Sequence, residues 1–124
     1  MSLLLDTAAV LWWLADEHLA ADARARIEDP GALVVVSAAS VWEIGVKRQI
    51  GKLRFEGSIA AHLERNAFEP LAISFSHAER AGRLPPHHRD PFDRMLVAQA
   101  QEENLTLVTR DPAFAAYDVG VLPC

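Results

Sequence analysis

Five short apolar runs, at residues 3–5, 33–36, 71–73, 106–108 and 119–121, alternate with stretches that read as helices, and nothing else in the chain limits its fold as much. Leu33-Val34-Val35-Val36 is the clearest strand, β-branched and bounded by Gly31 and Ser37. Helical stretches fall at 7–15, 19–28, 37–49, 57–66, 76–83 and 90–104, punctuated by Asp29-Pro30-Gly31, Gly51 and Leu84-Pro85-Pro86. Strands separated by helices are joined by crossovers, so they pair in parallel with helices laid over the sheet. The pattern predicts a three-layer α/β/α sandwich with a mainly parallel central sheet. With 124 residues, the chain is expected to form a single domain spanning 1–124, too short for two independent cores.

Composition narrows the function. Hydrophobic residues make up 51% and charged residues 23%, the balance of an ordinary soluble globular protein and not of a disordered or membrane one. No apolar run is long enough to span a bilayer. Asp6 interrupts the apolar N-terminal stretch and no basic residue precedes it, so a secretory signal is not expected and a cytoplasmic protein is. The only cysteine is Cys124, which excludes an internal disulfide and a thiolate zinc cluster. The net charge of −5 argues against tight, nonspecific binding to phosphate backbones. It does not argue against an enzyme that meets phosphate at a metal ion, because a bound cation reverses the local potential.

Four acids carry the chemistry: Asp6, Glu43, Asp93 and Asp111. Asp6 ends the first apolar run, Asp111 follows the fourth, Asp93 opens the helix at 90–104, and Glu43 lies in the helix that follows the valine strand. Ligands of open parallel sheets bind beyond the carboxyl ends of the strands, so these acids are positioned to converge. Converging carboxylates repel one another and need a cation, and an all-oxygen set suits Mg²⁺ or Mn²⁺ better than zinc. Each acid also has a plain role as a helix cap. Two details favour the site. Asp90 is the better cap for its helix, with Pro91 at the first helical position, which frees Asp93; and Ser37 is as good a cap as Ser40, which would leave Glu43 about two turns in.

The remaining candidates weigh less. Lys47, one turn after Glu43, reads as its ion pair. Thr7 and Thr109 are hydroxyls beside candidate ligands, and Arg94 and Arg110 are either phosphate-facing or surface charges. His87 and His88 sit in a proline-flanked loop and read as solvated, although the loop leads directly to Asp93. Val10-Leu11-Trp12-Trp13-Leu14 is apolar on more sides than one helix face can bury, so Trp12 or Trp13 is expected to project outward against another chain.

The segments Leu4-Leu5-Asp6-Thr7, Ser37-Ala38-Ala39-Ser40-Val41-Trp42-Glu43-Ile44, His88-Arg89-Asp90-Pro91-Phe92-Asp93-Arg94-Met95-Leu96-Val97-Ala98-Gln99-Ala100 and Leu107-Val108-Thr109-Arg110-Asp111, in this order, resemble the PIN-domain (PilT N-terminus) family. More narrowly they resemble the VapC-type ribonuclease toxins of bacterial toxin–antitoxin modules. The resemblance implies a PIN-like α/β/α sandwich and an endoribonuclease dependent on Mg²⁺ or Mn²⁺. It also implies an RNA substrate, inhibition by a small cognate antitoxin, and a homodimer. The family's acidic quartet falls on Asp6, Glu43, Asp93 and Asp111 as metal-binding catalytic residues, with Asp90 an extra acid. Two other readings stand beside it. A phosphatase working through an aspartyl phosphate needs a second acid two residues after the first, where this chain has Ala8. A catalytically inactive PIN scaffold would bind RNA or a protein partner without cutting.

Overall fold

A computed structural model of the chain describes all of residues 1–124. The elements run β1 (Ser2–Leu5), α1 (Thr7–Ala15), α2 (Ala21–Glu28), β2 (Leu33–Ser37), α3 (Ala38–Gln49), α4 (Ile59–Arg65), β3 (Glu69–Leu71), α5 (Phe75–Arg83), α6 (Pro91–Glu103), β4 (Thr106–Thr109), a short 3-10 helix (Pro112–Ala116) and β5 (Val121–Pro123). Every strand pairing is parallel, in the spatial order β3-β2-β1-β4-β5.

Successive strand side chains point to opposite faces. Leu3, Leu5, Val34 and Val36 therefore join one core, while Leu4 and Val35 join the other. The first core is closed by Ala9 and Val10 of α1, Ala23 and Ile27 of α2, and Ile59 and Leu63 of α4. The second is closed by Leu96, Val97 and Ala100 of α6 and by Phe114 and Tyr117 beyond β4. Helix α3 straddles the two, with Ala39 in the second core and Ile44 in the first. Because both faces of the central strands are covered, they read as unbroken apolar runs. Leu3, Leu4 and Leu5 are fully buried, each contributing roughly 1.5–3 kcal/mol of transfer free energy.

The chain steps outward from β1 to β2 to β3 and then returns, placing β4 on the other side of β1. That reversal opens a crevice at the carboxyl ends of β1 and β4, the place where parallel sheets bind ligands. Residues 6 and 111, just beyond those ends, flank it.

The two edge strands differ from the sequence expectation. β3 lies two residues earlier than the apolar run 71–73, pairing Val35 with Glu69 and Ser37 with Leu71. Pro70 is tolerated because an edge strand needs hydrogen bonds on one side only. Ile73 is left exposed, and Ser74 caps α5. β5 lies two residues later than expected, and Gly120 instead accepts a backbone hydrogen bond from Leu107.

The outward tryptophan is also a different one. Trp12 and Trp13 are half-buried and covered by their own chain. The Arg110 guanidinium lies 4.1 Å from the Trp12 ring centroid. Trp13 donates from Nε1 to Asn66 at 2.9 Å and packs on Phe68. Arginine faces and a distant asparagine, invisible to a local pattern, satisfy both rings. Trp42 is the tryptophan that projects, 65% exposed.

Candidate active site

Three of the four acids do serve as caps, or share a turn with one, and the geometry shows why that does not remove them from the site. Asp6 caps α1 with Oδ1, which accepts from the Ala9 amide at 2.8 Å. Its Oδ2 accepts from the Thr109 hydroxyl at 2.6 Å, across the seam between β1 and β4. Asp111 caps the 3-10 helix with Oδ1, accepting from the Ala113 amide at 2.9 Å, and its Oδ2 lies 3.1 Å from Nε2 of His88. A carboxylate has two oxygens, so one can cap while the other does something else. Asp90 caps α6, its Oδ1 accepting from the amides of Phe92 at 2.8 Å and Asp93 at 3.2 Å. The Asp93 carboxylate is thereby left free of capping.

Glu43 is not a cap. Ser37 begins α3, accepting from the Ala39 amide, so Glu43 lies deeper in the helix with only 6% of its surface exposed. Its Oε1 accepts from the Thr7 hydroxyl at 2.6 Å, and its Oε2 pairs with Lys47 Nζ at 2.8 Å. That pairing raises the Lys47 pKa above the usual lysine value. Both threonines noted beside candidate ligands therefore donate short, charge-assisted bonds to buried carboxylates.

Asp6, Glu43, Asp93 and Asp111 line one cleft of about 530 Å³, with Asp90, Lys47 and Arg110. Acids as far apart in sequence as Asp6 and Asp111 thus meet at the crevice the strand order opens. Burial raises the Asp6 carboxyl above its ordinary value, although its bonds from Thr109 and Ala9 oppose the rise. Burial, then the neighbouring Asp90 carboxylate, push Asp93 up to about 7, with Glu43 and Asp6 adding to the effect. Such a cluster is short of positive charge, and its oxygen donors fit a hard divalent cation. A second hollow, of about 430 Å³ and lined by apolar side chains of α3, α4 and the β3 edge, contains none of these acids.

Three residues have places that the sequence did not show. His88, read as solvated, is instead largely buried against two of the cleft's acids, its Nε2 3.0 Å from Asp93 Oδ2 and 3.1 Å from Asp111 Oδ2. Arg94 is neither phosphate-facing nor free. Its guanidinium donates to the carbonyls of Ala81, Leu84, Pro85 and His88 and folds the loop back over the start of α6. The only sequence signal for His88 was that its loop runs directly into Asp93. Arg110 is likewise structural: it donates to the carbonyls of His18 and Cys124 while stacked on Trp12.

A PIN domain profile matches residues 3–120. Among solved structures, the fold is shared with a chain of VapBC2 from Rickettsia felis bound to a promoter DNA fragment, with a TM-score of 0.76 and 15% identity over 100% of this chain and 99% of that one. VapBC-1 from nontypeable Haemophilus influenzae gives a TM-score of 0.70 at 18% identity, covering 99% of this chain and 98% of that one. DNA-bound VapBC from Salmonella typhimurium gives 0.69 at 16% identity, with the same coverage of 99% and 98%. At these identities the likeness is one of fold. No curated protein matches the sequence. Since the profile runs from the first strand to the residue before the last strand, the chain belongs to the PIN-domain family.

Proposed function

We propose that this protein is a Mg²⁺- or Mn²⁺-dependent endoribonuclease acting in the cytoplasm as the toxin of a toxin–antitoxin module, held in check by a small cognate antitoxin. The observation that carries the reading is the convergence of Asp6, Glu43, Asp93 and Asp111 on one cleft beside the switch in strand order. The toxin assignment draws on the solved VapBC complexes that share the fold and on the PIN membership. No helix is long and apolar enough to cross a membrane.

A divalent cation held by these carboxylates would polarise the scissile phosphate and activate water, so that no covalent protein intermediate is needed. The protein's part is placement. Asp6 and Asp93 are the leading direct ligands. Glu43, fixed by Thr7 and Lys47, is placed to bind the ion or orient the attacking water. Asp111 closes the cleft. Lys47, nearly half exposed beside these acids, offers the RNA phosphate a positive charge. A homodimer fits the exposed Trp42, which packs edge-on against Phe92 and lines an apolar hollow with Ile73.

Purified protein is expected to cleave RNA when supplied with Mn²⁺ or Mg²⁺ and to stop in excess chelator. Cleavage that persists in chelator would contradict the metal assignment. No cleavage with either ion, across a broad pool of RNA, would favour the inactive scaffold.

A further inference from the structure

His88 is the one side chain that reaches the carboxylates of both Asp93 and Asp111. Its Nε2 lies 3.0 Å from Asp93 Oδ2 and 3.1 Å from Asp111 Oδ2. These three atoms lie within 4.8 Å of one another, close enough to be read as a three-ligand metal set with a nitrogen donor. The other ring nitrogen argues otherwise. Nδ1 accepts a hydrogen bond from the Asp90 amide at 3.3 Å, so in the neutral ring the proton resides on Nε2. A protonated nitrogen has no lone pair for a metal but is a good donor to carboxylates.

We propose that His88 is a positioning residue whose Nε2–H donates to Asp111 Oδ2 while the same nitrogen lies 3.0 Å from Asp93 Oδ2, so that the pair is arranged for a divalent ion before the ion arrives. The proposal rests on the metal-site reading above. Two carboxylates brought together repel, and an N–H bonded to one and set against the other offsets that repulsion without occupying the ligand shell. The rest of the loop is built to hold the ring in place. The His88 amide donates to the Tyr117 hydroxyl at 2.9 Å, and that hydroxyl donates to the Pro85 carbonyl at 2.7 Å. Arg94 donates to the His88 carbonyl from below, and the ring packs on Phe114. A histidine serving only to fill the loop would need no bond to Asp111 with Asp93 set against the same nitrogen.

The test is Mn²⁺ binding by the full chain, read from the electron paramagnetic resonance signal of the free ion, with thermal melting alongside. His88→Ala is expected to weaken Mn²⁺ binding by roughly 10- to 100-fold, the range for partners of metal ligands. His88→Gln, whose amide nitrogen reaches about as far as Nε2 and also carries hydrogen, is expected to recover most of that loss. The spin-echo spectrum of the wild-type Mn²⁺ complex should show no strongly coupled imidazole nitrogen. Equal Mn²⁺ affinity in His88→Ala and wild type would overturn the proposal, as would a coupled imidazole nitrogen, which would make His88 a ligand. Loss of affinity in both variants together with a lowered melting temperature would overturn it in favour of a purely structural role. Failure of the wild type to bind Mn²⁺ at all would instead refute the metal site itself.

Discussion

The acidic cleft has two unlike halves. On one side Asp6 and Glu43 are each 6% exposed, each receives a 2.6 Å bond from a threonine hydroxyl, and Lys47 supplies a positive charge to Glu43. On the other, the Asp93 and Asp111 side chains are 19% and 40% exposed and share a single imidazole nitrogen. The first half is fixed by groups that the fold itself buries. The second is held by a loop, and it contains the carboxyl that burial and Asp90 push up to about 7. Rigidity and lack of charge compensation are therefore separated across the cleft. The half that most needs a cation is the one solvent reaches more easily, so under the proposed function a divalent ion would enter there and Asp6 and Glu43 would be the residues waiting behind it.

The largest effect should come from removing charge on the uncompensated side. Asp93→Asn is expected to lower the RNA cleavage rate by at least about 10²- to 10³-fold, the range for deleting one electrostatic contact to a transition state. Its melting temperature in chelator should hold or rise, since a partly buried carboxyl crowded by Asp90 is removed. Full activity in this variant would sink the site assignment.

A pH series separates the halves next. Asp93 titrates near 7 in the folded chain against an ordinary value of 3.8. Between those values the folded state keeps a proton that the unfolded state has released, so stability in chelator should fall as pH rises from about 4 to 7. A divalent ion, which favours the ionised form, should flatten or reverse that slope. A melting temperature in chelator that climbs steadily over this range would contradict the account of Asp93.

On the compensated side, Thr109→Val deletes the donor to Asp6 and the acceptor for the Asp111 amide while keeping the shape. We expect a loss of about 1–3 kcal/mol in chemical denaturation, because a buried carboxylate oxygen is left without a partner. A change within error would mean that this seam between β1 and β4 is not held by the threonine. The smallest effect is expected at Asp90, whose hydrogen bonds are those of a cap. Asp90→Ser should change stability by less than about 1 kcal/mol, since serine caps nearly as well, and should keep much of the cleavage rate. Activity lost to the level of Asp93→Asn at unchanged melting temperature would make Asp90 a site residue.

The same division explains what the sequence could reveal. Asp90 as the cap that frees Asp93 followed from chemistry within a few residues, whereas Ser37 and Ser40 were equal candidates to cap α3 and only the fold selects Ser37, leaving Glu43 in the helix interior. The parallel sandwich was legible too, because strands buried on both faces announce themselves as apolar runs. Cap and site residue are not alternatives for Asp6 and Asp111, since each uses one oxygen for the cap and leaves the other for Thr109 or His88. The edge strands slipped by two residues because Pro70 and Pro123 pair on one side only, where apolar pattern is weak. His88 was out of reach for a different reason: its position depends on Arg94 and Tyr117 gripping a loop whose path no local pattern encodes.

The central claim is that these four acids hold one ionic centre, and anomalous diffraction from crystals grown with Mn²⁺ tests it most directly. The account predicts a peak inside the cleft, with oxygens of Asp6 and Asp93 at about 2.1–2.2 Å, the range for hard cations on oxygen. A cleft without a peak at saturating Mn²⁺, or an ion bound only outside it, would contradict the account.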